Sequence, residues 1–217
     1  MPVTSTVSGT RPKILAILQR AGSMTIDQLA REVGLSSTTI RRHLDILQRD
    51  LLVSFDQVRE GSGRPEYTYF LTEYGHESGY RDYKSFLVDL LSEISGLSSN
   101  DLASKDGRGL LSFLIARMAE QASWPYLQPS QSTKESRIAN LERALGDRGF
   151  APEITQRGDR VEIRLCNCPF RSAALPHEAV CQFDRNLIGA VLGVDPVRES
   201  SIHDGHTTCL YVASLED

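Results

Sequence analysis

The chain has 217 residues, 40% of them hydrophobic, with 24 lysines and arginines against 28 aspartates and glutamates. That length and apolar content suit one or two folded domains, and the net charge of −4 excludes nucleic-acid binding through overall basicity, so any DNA contact has to come from a local patch. The longest apolar runs, such as Ile14 to Leu18, fall short of the roughly 18–20 residues of a transmembrane helix. The opening MPVTSTVSGTRPK has no apolar h-region, so the expectation is a soluble cytoplasmic protein with no membrane partner.

Residues 1–10 are Ser/Thr-rich and aperiodic, which predicts a disordered arm. Three helical segments follow. RPKILAILQRAG places Ile14, Leu15, Ile17 and Leu18 on one face and stops at Gly22. In SMTIDQLAREVGLS, Thr25 can cap a helix bearing Ile26, Leu29, Ala30 and Val33, with Gly34 as the turn. In SSTTIRRHLDILQRD, Ser36 or Ser37 caps and Ile40, Leu44 and Leu47 form the stripe. LLVSFDQV and EYTYFLT are strand-like, joined by the Gly-rich REGSGRP. The middle third, with YKSFLVDLLSEISG and GLLSFLIARMAEQA, is helical and apolar, and Gln128 to Thr133 reads as a linker.

STKESRIANLERALGDRGF predicts a helix opened by Ser132 or Thr133 and closed by Gly146 or Gly149. FAPEITQRGDRVEIRLCNCPF predicts two strands around the turn Arg157-Gly158-Asp159. HEAVCQFDRNLIGAVLG then predicts a helix and TTCLYVASL a last strand. The fold class expected is α+β. A winged helix-turn-helix domain spans 11–78, dimerisation helices span 79–127, and a small β-β-α-β sensor domain spans 132–217.

Helix, helix, turn, helix and hairpin is the layout of a winged helix-turn-helix. The third helix would expose Ser37, Thr38, Thr39, Arg41 and Arg42, hydroxyls and guanidiniums suited to base edges and phosphates in a major groove. His43 falls towards the packed face. Arg59 and Arg64 flank the wing tip and are candidates for phosphate or minor-groove contact. Residues 11–75 carry nine positive and eight negative side chains. Total charge is therefore a weak signal there, and the concentration of arginines on the third helix and wing is the stronger one. TIDQLAREVGLSSTTIRRHLDILQRDLLVSF followed by GRPEYTYFLTEYG resembles the winged-helix regulators of the ArsR and DeoR types. That resemblance implies binding to double-stranded operator DNA, and operator reading by such domains calls for a homodimer.

All four cysteines, Cys166, Cys168, Cys181 and Cys209, lie within 44 residues. In a chain expected to be cytosolic, such clustering points to metal or redox chemistry more than to a disulfide scaffold. Thiolates serve both zinc and iron–sulfur clusters, while single cysteines are also common as buried packing residues. No nucleophile motif accompanies them, so no enzyme activity is expected. The texts NCPF, HEAVC and TTCLY are similar to the sensor domain of the SufR-like iron–sulfur biogenesis repressors. That resemblance implies a homodimeric repressor of assembly genes, one [4Fe–4S] cluster per chain, and Cys168, Cys181 and Cys209 as ligands. The fourth ligand stays open. Cys166 is placed first, because residues i and i+2 of a strand share a side. His177, one helical turn before Cys181, and His203 and His206 in the loop RESSIHDGHTT are the alternatives, together with Glu178, Asp195, an exogenous thiol or water.

Overall fold

The computed structural model describes residues 9–58, 66–103, 105–127 and 133–215. The chain divides into two compact units, one ending at Tyr80 and the other beginning at Arg81.

The first unit opens with α1 (Thr10–Ala21), so helix begins one residue inside the segment expected to be disordered; residues 1–8 lie outside the described residues. It continues through β1 (Ser23–Thr25), α2 (Ile26–Val33), α3 (Ser37–Arg49), β2 (Val53–Val58), β3 (Glu66–Leu71) and α4 (Glu73–Glu77). The punctuation predicted from local chemistry is present. Thr25 and Gln28 form a reciprocal capping box at the start of α2, which satisfies two otherwise orphaned backbone donors. Gly34 ends α2 in the left-handed region at φ 80°, a conformation that costs glycine nothing. Ser36 caps α3.

Ile14, Ile17 and Leu18 of α1, Leu29 of α2 and Ile40, Leu44 and Leu47 of α3 are buried together with Val53, Tyr69 and Leu71 of the hairpin. Each such aliphatic side chain contributes roughly 1.5–3 kcal/mol. The sheet has the order β1-β3-β2 and is antiparallel throughout. β1 was not expected. Three residues are too few to show a strand period, and β1 exists because Ser23, Met24 and Thr25 pair with Phe70, Tyr69 and Thr68.

The second unit contains α5 (Tyr83–Ser95), α6 (Ser99–Leu102), α7 (Gly107–Ser123), α8 (Lys134–Asp147), β4 (Pro152–Arg157), β5 (Arg160–Leu165), α9 (Arg171–Ala174), α10 (Gln182–Leu192), β6 (Val197–Ser200) and β7 (Cys209–Ser214). Its four-stranded antiparallel sheet has the order β4-β5-β7-β6. Thr133 caps α8, Gly149 leaves it at φ 82°, and Phe150 N–H returns to Leu145 O at 3.0 Å, a Schellman-type stop. Gly158 occupies the β4–β5 turn at φ 61°.

The expected β-β-α-β order is therefore β-β-α-α-β-β. The missed strand is β6, whose polar VRES text lies in the stretch after the last predicted helix and pairs with β7 across a register shift. The predicted helix over HEAVC is also corrected. Glu178–Cys181 is a turn of 3-10 helix, and α10 starts only at Gln182. Residues 79–127 do not form a separate layer. Ile115, Met118, Ala119 and Ala122 of α7 share one core with Leu141, Leu145, Ile163, Phe183 and Leu187. α5 is two-sided: Phe86 and Leu90 pack on that core, whereas Leu87, Val88, Leu91 and Ile94 are about half exposed. Among the described residues, no helix is long and apolar enough to cross a membrane.

Candidate DNA-reading surface and cysteine site

In the first unit, α3 displays Thr38, Arg41 and Arg42 to solvent. Spacings of three and four residues put them on one face. The structure separates the other two predicted contacts from this set. The Ser37 hydroxyl donates to Asp27 Oδ1 at 2.7 Å, tying α3 to α2. Thr39 Oγ1 lies 2.9 Å from the Ser36 hydroxyl inside the cap. Arg41 lies near Tyr69, whose hydroxyl is pushed up by burial and pulled partly back by the Arg41 charge. His43 is half-buried, and among the described residues its Nδ1 is out of solvent with no hydrogen-bond partner. Arg59 and Arg64 lie outside the described residues.

In the second unit, three of the four cysteines gather. β5 ends at Leu165, so Cys168 sits in the loop beyond the strand rather than at its end. Cys181 is the last residue of the 3-10 turn and the cap position of α10. Cys209 is the first residue of β7 and pairs with Leu165. Burial pushes all three thiols up, Cys181 and Cys209 to about 12, and the nearby Asp184 carboxylate adds to each shift. Cys168 also feels Cys209 and Cys181, and Cys209 feels Cys181, which places the three sulfurs in one neighbourhood. Backbone N–H groups of Phe170 and Ile202 donate to Cys168 and Cys209, an arrangement that favours thiolate over thiol.

Cys181 and Cys209 belong to the unit's buried core, with Cys168 packed against it; Cys166 is also buried. The chain leaves β5 at this point: Cys166 N–H bonds Ala151 O at 3.2 Å and Asn167 N–H bonds Phe150 O at 3.0 Å. The i, i+2 argument for a shared side does not apply beyond the strand's end. No disulfide joins the cysteines. Among the described residues, no three His, Cys, Asp or Glu side chains are assembled into a metal-holding group. His177, His203 and His206 are exposed. His177 precedes the 3-10 turn in a non-helical conformation and so does not share a helical face with Cys181.

Residues not singled out from the sequence shape this site. Asp184 is buried within the apolar stripe of α10 and accepts from the Tyr211 hydroxyl at 3.0 Å. Burial pushes its carboxyl up to about 7, against the pull of that hydroxyl and of backbone N–H groups. A carboxylate in the middle of the predicted inward face was the available signal. Asn167 is a strut: its Nδ2 donates to Gly149 O at 2.7 Å and its Oδ1 accepts from Arg81 at 2.7 Å. The loop is further strapped to α5 by Asp82 N–H to Pro169 O at 3.1 Å, by Tyr83 Oη accepting from Ser172 N–H at 3.0 Å, and by Phe86 against Phe170 at 4.7 Å between ring centroids.

Residues 8–50 match the family described as winged helix-turn-helix DNA-binding. With the α1–β3 arrangement, that match identifies a winged helix-turn-helix DNA-binding domain in the first unit. Among solved structures, Bacillus subtilis PadR in complex with operator DNA is similar at 17% identity over 63% of this chain and 90% of that chain, with a TM-score of 0.28. No curated protein matches the chain.

Proposed function

We propose that the protein is a homodimeric transcription repressor that reads an inverted-repeat operator, and that its operator affinity follows the state of one [4Fe–4S] cluster per chain, with iron–sulfur assembly genes as its targets. The observation that carries this reading is the convergence of Cys168, Cys181 and Cys209 from three elements into one buried neighbourhood in a chain with a winged-helix reader. The donor type fits: three soft sulfurs, two with backbone N–H donors, suit iron or zinc. The raised thiol pKa values mean that metal binding has to displace protons. Cys168, Cys181 and Cys209 would hold the group, with the fourth position open. When bound, the cluster supplies a redox- and iron-sensitive tie between these thiolates.

The rest follows from the chain's own residues. The Cys168 loop is strapped to the first turn of α5 through Arg81, Asp82, Tyr83 and Phe86. α5 begins three residues after the first unit ends, and its outer face presents Leu87, Val88, Leu91 and Ile94 to a second copy. Fixing the loop fixes the start of α5, and the two α3 helices of a dimer would meet successive major grooves roughly 34–36 Å apart. A tenfold change in operator affinity needs only about 1.4 kcal/mol of difference between the two states.

The test is an anaerobic absorption spectrum with iron and sulfide assays, followed by operator titration with and without cluster. The expected result is a broad band near about 400 nm with about four iron and four sulfide per chain, and weaker operator binding after cluster loss. Cys168→Ser is expected to abolish the band and Cys166→Ser to leave it in place. A colourless protein that resists reconstitution, or equal affinity in both states, sinks the reading. A second reading, the same scaffold responding to zinc or a small molecule, is favoured by the cavity described next.

A further inference from the structure

A cavity of about 780 Å³ opens in the second unit with Cys181 in its wall, within the roughly 300–1,000 Å³ typical of small-molecule sites. Its lining is cationic, on a chain of net charge −4. Arg108 comes from the first turn of α7, Arg185 from α10 and Arg198 from β6, with His177 and His203 beside them. One carboxylate, Glu178, also lines it, and Arg198 Nη2 already engages that group at 2.8 Å. Among the described residues, Arg108 and Arg185 form no ion pair, and both are exposed.

We infer that this cavity binds a small organic polyanion, a molecule carrying two or more carboxylate or phosphate groups, with Arg108 and Arg185 as its principal anchors. The guanidinium fork suits both groups, because each offers a pair of oxygens for bidentate contact. Three arginines from three separate elements, facing a volume several times that of a water or chloride, select for a multiply charged ligand over a single small ion. A ligand seated there would lie against Cys181 and β6, so its binding would be felt where the cysteine trio sits. The site does not depend on metal, and its test is made on the metal-free full chain.

The test is isothermal titration calorimetry of the full-length protein with citrate and, separately, with inorganic pyrophosphate, in about 150 mM chloride to screen non-specific attraction. One binding event per chain is expected with at least one probe, and the probe that binds tells carboxylate from phosphate. The double substitution Arg108→Ala/Arg185→Ala is expected to weaken it at least tenfold. Val197→Trp, which fills the mouth from an exposed lining position, is expected to abolish it without touching a charge. Absence of binding by either probe at millimolar concentration overturns the inference, as does an affinity unchanged in both variants. Either failure leaves the cluster proposal standing, since no cysteine is altered and no metal is present.

Discussion

Phe170 is the point at which the cysteine loop is held to the body of the second unit, and Phe170→Ala tests that role. The ring is buried and meets Phe86 at 4.7 Å, Phe183 at 5.4 Å and Phe150 at 5.8 Å between centroids. Truncating a buried phenylalanine costs about 3–5 kcal/mol through lost transfer energy and the residual cavity. Three aromatic partners, each worth about 0.5–1.5 kcal/mol beyond area, place this position towards the upper end. A loss of about 4 kcal/mol is roughly a thousandfold in the folded-to-unfolded ratio of that unit. The chain's single tryptophan, Trp124, belongs to the same unit, so its fluorescence during urea unfolding reports on it directly. The midpoint is expected to fall with the slope unchanged. A loss below about 1 kcal/mol, well under the range for buried phenylalanines, would refute the claim that the ring anchors the loop.

Three further outcomes are expected. Arg41→Ala and Arg42→Ala each weaken DNA binding and reduce the slope of log affinity against log salt by about one if they contact phosphates, measured by fluorescence anisotropy across a salt series; an unchanged slope and affinity for both would remove α3 as the reading helix. Gly75→Ala destabilises the first unit by several kcal/mol, because the added Cβ would stand 1.9 Å from Leu52 O, a backbone atom that cannot rotate away; thermal unfolding of the variant checks this, and a wild-type midpoint would contradict it. Tyr211→Phe removes the hydroxyl that serves buried Asp184, at an expected cost of about 1–3 kcal/mol; a double-mutant cycle with Asp184→Asn should show coupling between the two, and additivity would argue against it.

What the sequence determined by itself was whatever short-range chemistry encodes. The stripes Ile14–Ile17–Leu18 and Ile40–Leu44–Leu47, the Thr25 and Ser36 caps, the Gly34 and Gly158 turns and the hairpin strands each depend on residues a few positions apart. Clustering brought all four cysteines to attention, and the resemblance to the SufR-like sensor domain singled out Cys168, Cys181 and Cys209. Tertiary structure decided everything that depends on partners distant in the chain. β1 and β6 are strands only because β3 and β7 offer them backbone groups. α7 is core rather than connector because α8, α10 and the sheet cover it, which an apolar pattern alone cannot distinguish from a dimer face. The shared-side argument for Cys166 fails because β5 ends one residue before it. The Asp184–Tyr211 pair and the arginine-lined cavity join positions 27 and up to 95 residues apart. Local periodicity records which residues avoid water; only the packed chain determines which of them meet.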